Sequence, residues 1–211
     1  MYAMLCTRPD VAYSISVTSR YQSNPGEDHW KAVKNILKYL RRTQDIFLVF
    51  GGESELKIEG YTDSSFQSES DSKSMSGYVF TLNGGAISWK SSKQSTTTDS
   101  TAVSEAAKEA VWMRKFVSEL GVVPSIEEPI VLYCDNNAAI TQAKEPRSHK
   151  NSKHVLRCFH LIREIIERED VKIERVDTNN NVADPLTKSL SQIHFDRHKE
   201  MMGIRYQGDW L

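Results

Sequence analysis

Leu56-Lys57-Ile58-Glu59-Gly60-Tyr61-Thr62-Asp63 decides how this chain folds. Leu56, Ile58, Gly60 and Thr62 alternate with Lys57, Glu59, Tyr61 and Asp63, the period of a strand buried on one face. The stretch ends on a carboxylate. Downstream, Gly77 to Leu82 and Ala86 to Lys90 flank Asn83-Gly84-Gly85, a strong hairpin signal. A long helix follows, then Ile130-Val131-Leu132-Tyr133-Cys134, an almost unbroken apolar run suited to a central buried strand that leads straight into Asp135. A helix over about Asn151 to Arg168 and a strand over Val171 to Val176 complete the pattern. Three strands, helix, strand, helices, strand and helix predict an α/β fold, a mixed sheet with helices on its faces.

Upstream the period changes. Asn24-Pro25 offers an N-cap with proline just inside, and Glu27 and Asp28 occupy the first turn. Trp30, Val33, Ile36, Leu37 and Leu40 then repeat at helical spacing. Lys31, Lys34, Lys38, Arg41 and Arg42 fall on the remaining surface, with no acid between Trp30 and Thr43. That face suits nucleic-acid phosphates, and equally a solvated surface whose last cations complement the helix dipole. Pro9 to Tyr21 predicts a second, pairing helix, and Gly51-Gly52 marks a boundary. The division that results is a small helical segment 1–52, an α/β domain 53–190 and a tail 191–211.

With 211 residues, 39% hydrophobic and 26% charged, the chain can bury a sizeable core. No apolar run approaches the roughly 18 residues of a membrane span, and no basic region followed by a long apolar core opens the chain. The expectation is a soluble, intracellular protein that is not secreted and meets no membrane. Cys6, Cys134 and Cys158 match no zinc spacing and cannot all pair, so they read as reduced and mostly packed. A formal net charge of -1 exerts no overall pull on nucleic acid, which leaves binding to local basic patches.

Asp63, Asp135 and Asp184 lie at strand ends or a helix start, and Asp99 precedes the long helix. Alone, each reads as a turn or N-cap residue, Asp184 especially because Pro185 follows it. As an ordered set they suit a hard divalent cation, which takes carboxylate oxygens from sequence-distant segments.

Several longer stretches carry a resemblance. They include Thr18-Ser19-Arg20-Tyr21-Gln22-Ser23-Asn24-Pro25, Lys38 to Thr43, Gly60 to Asp63, Ser76 to Phe80 and Ser88 to Gln94. Ser104-Glu105-Ala106, Asp135-Asn136-Asn137, Lys153-His154 and Ala183 to Lys188 continue it over essentially the whole chain. Together they resemble the ribonuclease H domain of the Pol polyprotein of copia-type LTR retrotransposons, preceded by the end of its reverse transcriptase. The resemblance implies a ribonuclease H-like five-stranded mixed sheet, with the segment 1–52 a remnant of the reverse transcriptase thumb or connection. It implies hydrolysis of RNA in an RNA–DNA hybrid with two Mg2+ or Mn2+ ions held by three aspartates and a glutamate, in the cytoplasm or in virus-like particles. The aspartates fall on Asp63, Asp135 and Asp184. It also implies that the chain begins inside the reverse transcriptase and that the rest of the polyprotein is absent, as in a fragment or decayed copy.

One block departs from the family. The family pattern Ser-Thr-Glu-Ala-Glu-Tyr, whose second glutamate is the ligand, is missing between Gln94 and Ser104. Counting back along the apolar seam from Leu120 through Val117, Met113, Ala110, Ala106 and Val103, the next member is Asp99. Glu105 points about 120° and Glu109 about 80° from that seam. Asp99 therefore stands either as a shortened fourth ligand or as the cap of a shortened helix. Lys153 and His154 match a family pair near the substrate, where a neutral histidine can move a proton during product release. A solvated helix start is the competing reading. Lys150 and Lys153, within a basic run that begins at Lys144, are candidate phosphate contacts. Two functions follow, a weakened hybrid-cleaving nuclease or a catalytically inactive remnant that folds and binds nucleic acid.

Overall fold

In chain order the elements are α1 (Tyr2–Cys6), α2 (Ala12–Ser19), α3 (Glu27–Arg42), β1 (Ile46–Leu48), β2 (Ile58–Ser65), β3 (Met75–Leu82) and β4 (Gly85–Lys93). They continue as α4 (Ser100–Leu120), β5 (Ile130–Cys134), α5 (Asn137–Lys144), α6 (Lys153–Glu167), β6 (Val171–Arg175), α7 (Gln192–Met201) and β7 (Ile204–Tyr206). The structure, a computed structural model, describes residues 2–51, 56–65, 74–94, 100–144 and 153–206.

The predicted mixed sheet forms in the order β4-β3-β2-β5-β6. β2 pairs antiparallel with β3 and parallel with β5, and β5 pairs parallel with β6. Asn83 and Gly84 take positive φ, 51° and 72°, as a two-residue hairpin turn demands. One face of the sheet carries Ile58, Phe80, Leu132 and Ile173 against α4, α5 and α6. Along α4 the side toward the sheet is Val103, Ala106, Ala107, Ala110, Met113 and Val117, all buried. Its alanines let the helix approach closely. Gly60 belongs to the same packing, since a Cβ there would lie 2.5 Å from the Phe80 ring. The other face packs Val79 and Ala86 against Ala12, Ile46, Val182, Leu186, Met202 and Ile204. Helices thus cover both faces, as expected of a ribonuclease H-like α/β fold.

Several boundaries and surfaces differ from the sequence reading. Pro9–Val11 is a 3-10 turn ahead of α2, so the predicted helix over 9–21 is shorter. α6 and β6 end at Glu167 and Arg175. The first segment is not helical throughout, because Ile46–Leu48 forms β1 and pairs antiparallel with β7. Trp30 and Leu37 do not join a seam; they stand 56% and 60% exposed. The packed side of α3 is set instead by Ile36 and by Tyr39, whose hydroxyl donates to Asp10 at 2.6 Å. Trp30 and Leu37 lie about 100–120° round the helix from Ile36. Leu120 ends α4 beyond its last buried contact and is exposed, as is Cys6, whereas Cys134 and Cys158 are buried, and none of the three forms a disulfide among the described residues. Among the described residues no helix is long and apolar enough to cross a membrane.

Candidate metal centre

The sheet register brings two acids together. Thr62 of β2 is the parallel partner of Cys134 in β5, so the residues that follow, Asp63 and Asp135, emerge side by side on neighbouring strands. Two positions earlier on the same face, Tyr61 and Tyr133 stack with ring centroids 5.0 Å apart. The third acid arrives from 121 residues beyond Asp63 in sequence, on the 3-10 turn Asp184–Leu186. One carboxylate oxygen from each of Asp63, Asp135 and Asp184 lies within 4.8 Å of the others.

Among the described residues none of the three caps a helix. Asn136, not Asp135, caps α5, accepting from the backbone N–H groups of Ala138 and Ala139 at 2.9 and 3.1 Å. Asp184 opens its turn without capping it. Asp63 lies within β2, opposite Gly77.

The Asp184 turn is clamped from several directions. Asn181, fully buried, donates to the Thr62 carbonyl at 3.2 Å and accepts from Ala183 N–H at 3.2 Å. Ser65 and Ser91 donate to the carbonyls of Thr187 and Leu186 at 2.7 and 2.6 Å. Gly77 leaves room for the turn, since a Cβ there would come within 2.8 Å of Leu186 Cβ. These positioning residues were not singled out from the sequence, because contacts more than 90 residues apart leave no local period. Thr187 and Lys188 had a signal: they follow Asp184 by three and four residues, a spacing that folds back over it in a helical turn.

Thr187 donates its hydroxyl to Asp63. Lys188 Nζ stands 3.0 Å from Asp184 and 3.9 Å from Asp63. Burial pushes the Asp184 carboxyl up to about 7, and the charge of Asp63 adds to the effect while Lys188 opposes it. Burial also raises Asp63, against the Thr187 hydrogen bond and the Lys188 charge. For Lys188, burial disfavours the charge but the surrounding carboxylates outweigh it, and the net direction is up. Asp184 Oδ1 is buried with no hydrogen-bond partner. Clustered carboxylates with an unpartnered buried oxygen carry more negative charge than one lysine neutralises, and hard oxygen donors of this kind fit a divalent cation.

The start of α4 reaches the same place, for Ala102 and Val103 line a small cleft with Asp63, Cys134 and Asp135. Its described acids do not. Glu105 pairs with Lys90 at 3.2 Å, and Glu109 accepts from Ser88 at 2.8 Å, both toward β4. Asp99 and Lys150 lie outside the described residues. Lys153 opens α6 with His154 behind it, and their side chains lie outside what is described. Lys31, Lys34 and Lys38 are exposed along α3, remote in sequence from the acids.

No protein-family model matches the chain. Individual relatives do. It is 42% identical over 97% of its length to the retrovirus-related Pol polyprotein from transposon TNT 1-94 of Nicotiana tabacum, and covers 16% of that protein. It is 33% identical over 94% of its length to the retrovirus-related Pol polyprotein from transposon RE2 of Arabidopsis thaliana, and covers 14% of it. Among solved structures it is similar to LC11-RNase H1 in complex with RNA/DNA hybrid, with 19% identity, a TM-score of 0.46, and coverage of 62% of this chain and 94% of that one.

Proposed function

This chain is a homologue of copia-type retrotransposon Pol polyproteins over one stretch of their length, and from that premise we propose that it is their ribonuclease H-type domain, cleaving the RNA strand of an RNA–DNA hybrid. The observation that carries the proposal is the meeting of Asp63, Asp135 and Asp184, three acids from separate segments with oxygens within 4.8 Å and no capping role.

Asp63, Asp135 and Asp184 would hold divalent ions, and the family's full pair requires a fourth carboxylate beside them. Bound there, such ions supply a nucleophilic water and stabilise the leaving oxygen. The chain's own residues do the rest. Thr187 fixes the Asp63 carboxylate, while Asn181, Ser65 and Ser91 hold the turn that presents Asp184. Lys188 keeps two carboxylates compatible with each other before a cation arrives. Lys31, Lys34 and Lys38 offer phosphates an exposed cationic face.

Activity is expected to be weak. Glu105 and Glu109 are engaged on β4, which leaves Asp99 either as a stand-in for the family's glutamate, one methylene shorter, or as the cap of a shortened helix with no fourth ligand. A displacement of about 1 Å at a reacting centre can cost on the order of a hundredfold in rate. The same observation supports the second reading, an inactive remnant that still binds nucleic acid. The test is cleavage of a hybrid labelled on its RNA strand, with Mg2+ or Mn2+, by the protein and by Asp63→Asn. Slow cleavage that Asp63→Asn abolishes supports the nuclease. Rates equal for both proteins, at the uncatalysed level in Mn2+ as well, leave the remnant. Restoring a Thr-Glu-Ala-Glu-Tyr block before Ala102 should raise cleavage by orders of magnitude, and Asp99→Glu by less.

A further inference from the structure

We propose that the outer edge of α3 is a stacking shelf for unpaired nucleobases, so that the chain grips a single-stranded stretch of nucleic acid apart from the acidic centre. α3 buries none of its residues, and Trp30 projects 56% exposed. Beside it, Tyr21 stacks on His29 with ring centroids 4.0 Å apart and planes 18° from parallel. His29 is held in place because its Nδ1 accepts from Gly26 N–H at 2.9 Å. Tyr21, Pro25, His29, Trp30 and Val33 line one open pocket of about 310 Å³, at the lower end of the size range of small-ligand sites.

Cations run along the same edge. Trp30, Lys34, Leu37 and Arg41 follow one another at spacings of four, three and four residues, which places them within about 40° of one line on the helix. Lys38 lies beside that line and is exposed. Lys31 is partly neutralised by Asp28 at 2.8 Å, but no acid follows until the helix has ended. Apolar Trp30 and Leu37 alternating with Lys34 and Arg41 answer alternating bases and phosphates, with the Trp30 ring as the stacking surface. A protein partner that covered Trp30 and Leu37 would need acids for Lys34, Lys38 and Arg41 as well. A single strand fits better than a duplex, because stacking on a ring needs a base face that a paired duplex keeps covered. The shelf does not depend on cleavage at the acidic centre.

The probes are fluorescently labelled oligo(dT) and oligo(U), titrated in EDTA with the full chain and followed by anisotropy. Wild type should bind both without divalent ions. Trp30→Ala should weaken binding about 10-fold, within the range for loss of one base–aromatic stack, with the salt slope unchanged and Trp30→Phe recovering most of it. Lys34→Ala with Arg41→Ala should instead flatten the salt dependence. Thermal melts of each variant establish that it is folded. Binding by folded Trp30→Ala equal to wild type overturns the shelf. So does a wild-type dimer, seen by light scattering, that Trp30→Ala dissociates without any change in oligonucleotide affinity. Because EDTA silences metal-dependent cleavage, these outcomes stand whether or not the nuclease reading does.

Discussion

Lys188 sits where an external cation would otherwise be needed, and it shares the space unequally, nearer Asp184 than Asp63. It also lines an open cavity of about 540 Å³ with Tyr39, Leu190 and Phe195, so its ammonium has room to withdraw from the carboxylates. Lys188→Met should lower the stability of metal-free protein at pH 8 by about 1–2 kcal/mol, a partly exposed share of the cost of unpairing a buried charge. Added Mg2+ should then raise the melting temperature more than it does in wild type. Equal Mg2+ responses would mean that Lys188 does not share the site. Asp184 supplies a pH test with a definite sign. Its carboxyl sits at about 7, against about 4 in an unfolded chain. The folded state therefore holds this proton more tightly, and the stability it contributes is complete below pH about 4 and lost as pH rises through 7. Melts in EDTA should decline across that window, Asp184→Asn should flatten the decline, and Mg2+ should stabilise more at pH 8 than at pH 5.

At the level of elements, the centre depends on how tightly a turn lies against a sheet. Gly77 faces Leu186 and Thr187, and a methyl at that position would come within 2.8 and 2.9 Å of their side chains. Gly77→Ala should push the Asp184–Leu186 turn outward, and the measurable result is loss of Mg2+-induced stabilisation in a protein that still melts cooperatively. An unchanged Mg2+ response would show that the turn tolerates the shift. Gly203 is a different case, held at φ +80°, where an added methyl would sit 2.6 and 2.7 Å from the Val49 and Gly84 carbonyl oxygens. Alanine there should cost at least about 1–2 kcal/mol from the left-handed backbone alone, read as a lower melting temperature. These two glycines mark the limit of what the sequence disclosed. Period-2 alternation, the Asn83-Gly84 turn and the Ile130 to Cys134 run revealed the strands, because those signals are local. The parallel register that sets Asp63 beside Asp135 was legible only as a shared position at strand ends. The clamp on Asp184 was hidden, since Ser65, Gly77, Ser91 and Asn181 look like ordinary small or polar residues until the chain closes around Leu186. Trp30 and Leu37 misled for the opposite reason: apolar spacing says which residues share a helix face, not whether anything covers it.

Across the whole molecule, the two ends of the chain complete one face of the sheet. β1 pairs with β7. Val49 N–H donates to the Gly203 carbonyl at 2.8 Å, and Ala86 N–H donates to the Met202 carbonyl at 2.9 Å. Trp89 Nε1 donates to the Met4 carbonyl at 2.7 Å. Ala12, Ile46, Met202 and Ile204 cover Val79, Ala86, Val182 and Leu186, and Leu186 belongs to the turn that presents Asp184. A protein trimmed to residues 53–190 would lose three large buried apolar side chains, Ile46, Met202 and Ile204, worth about 1.5–3 kcal/mol each. That sum is comparable with the roughly 5–15 kcal/mol by which whole domains are stable. It would also uncover the back of the Asp184 turn. The trimmed protein should therefore melt far below the full chain, or fail to fold, and show no Mg2+-dependent stabilisation. Extending it to 2–206 should restore both properties together. If 53–190 instead melts cooperatively near the full chain and responds to Mg2+, the ends are appendages, and the acidic centre is built by the sheet and its turn alone.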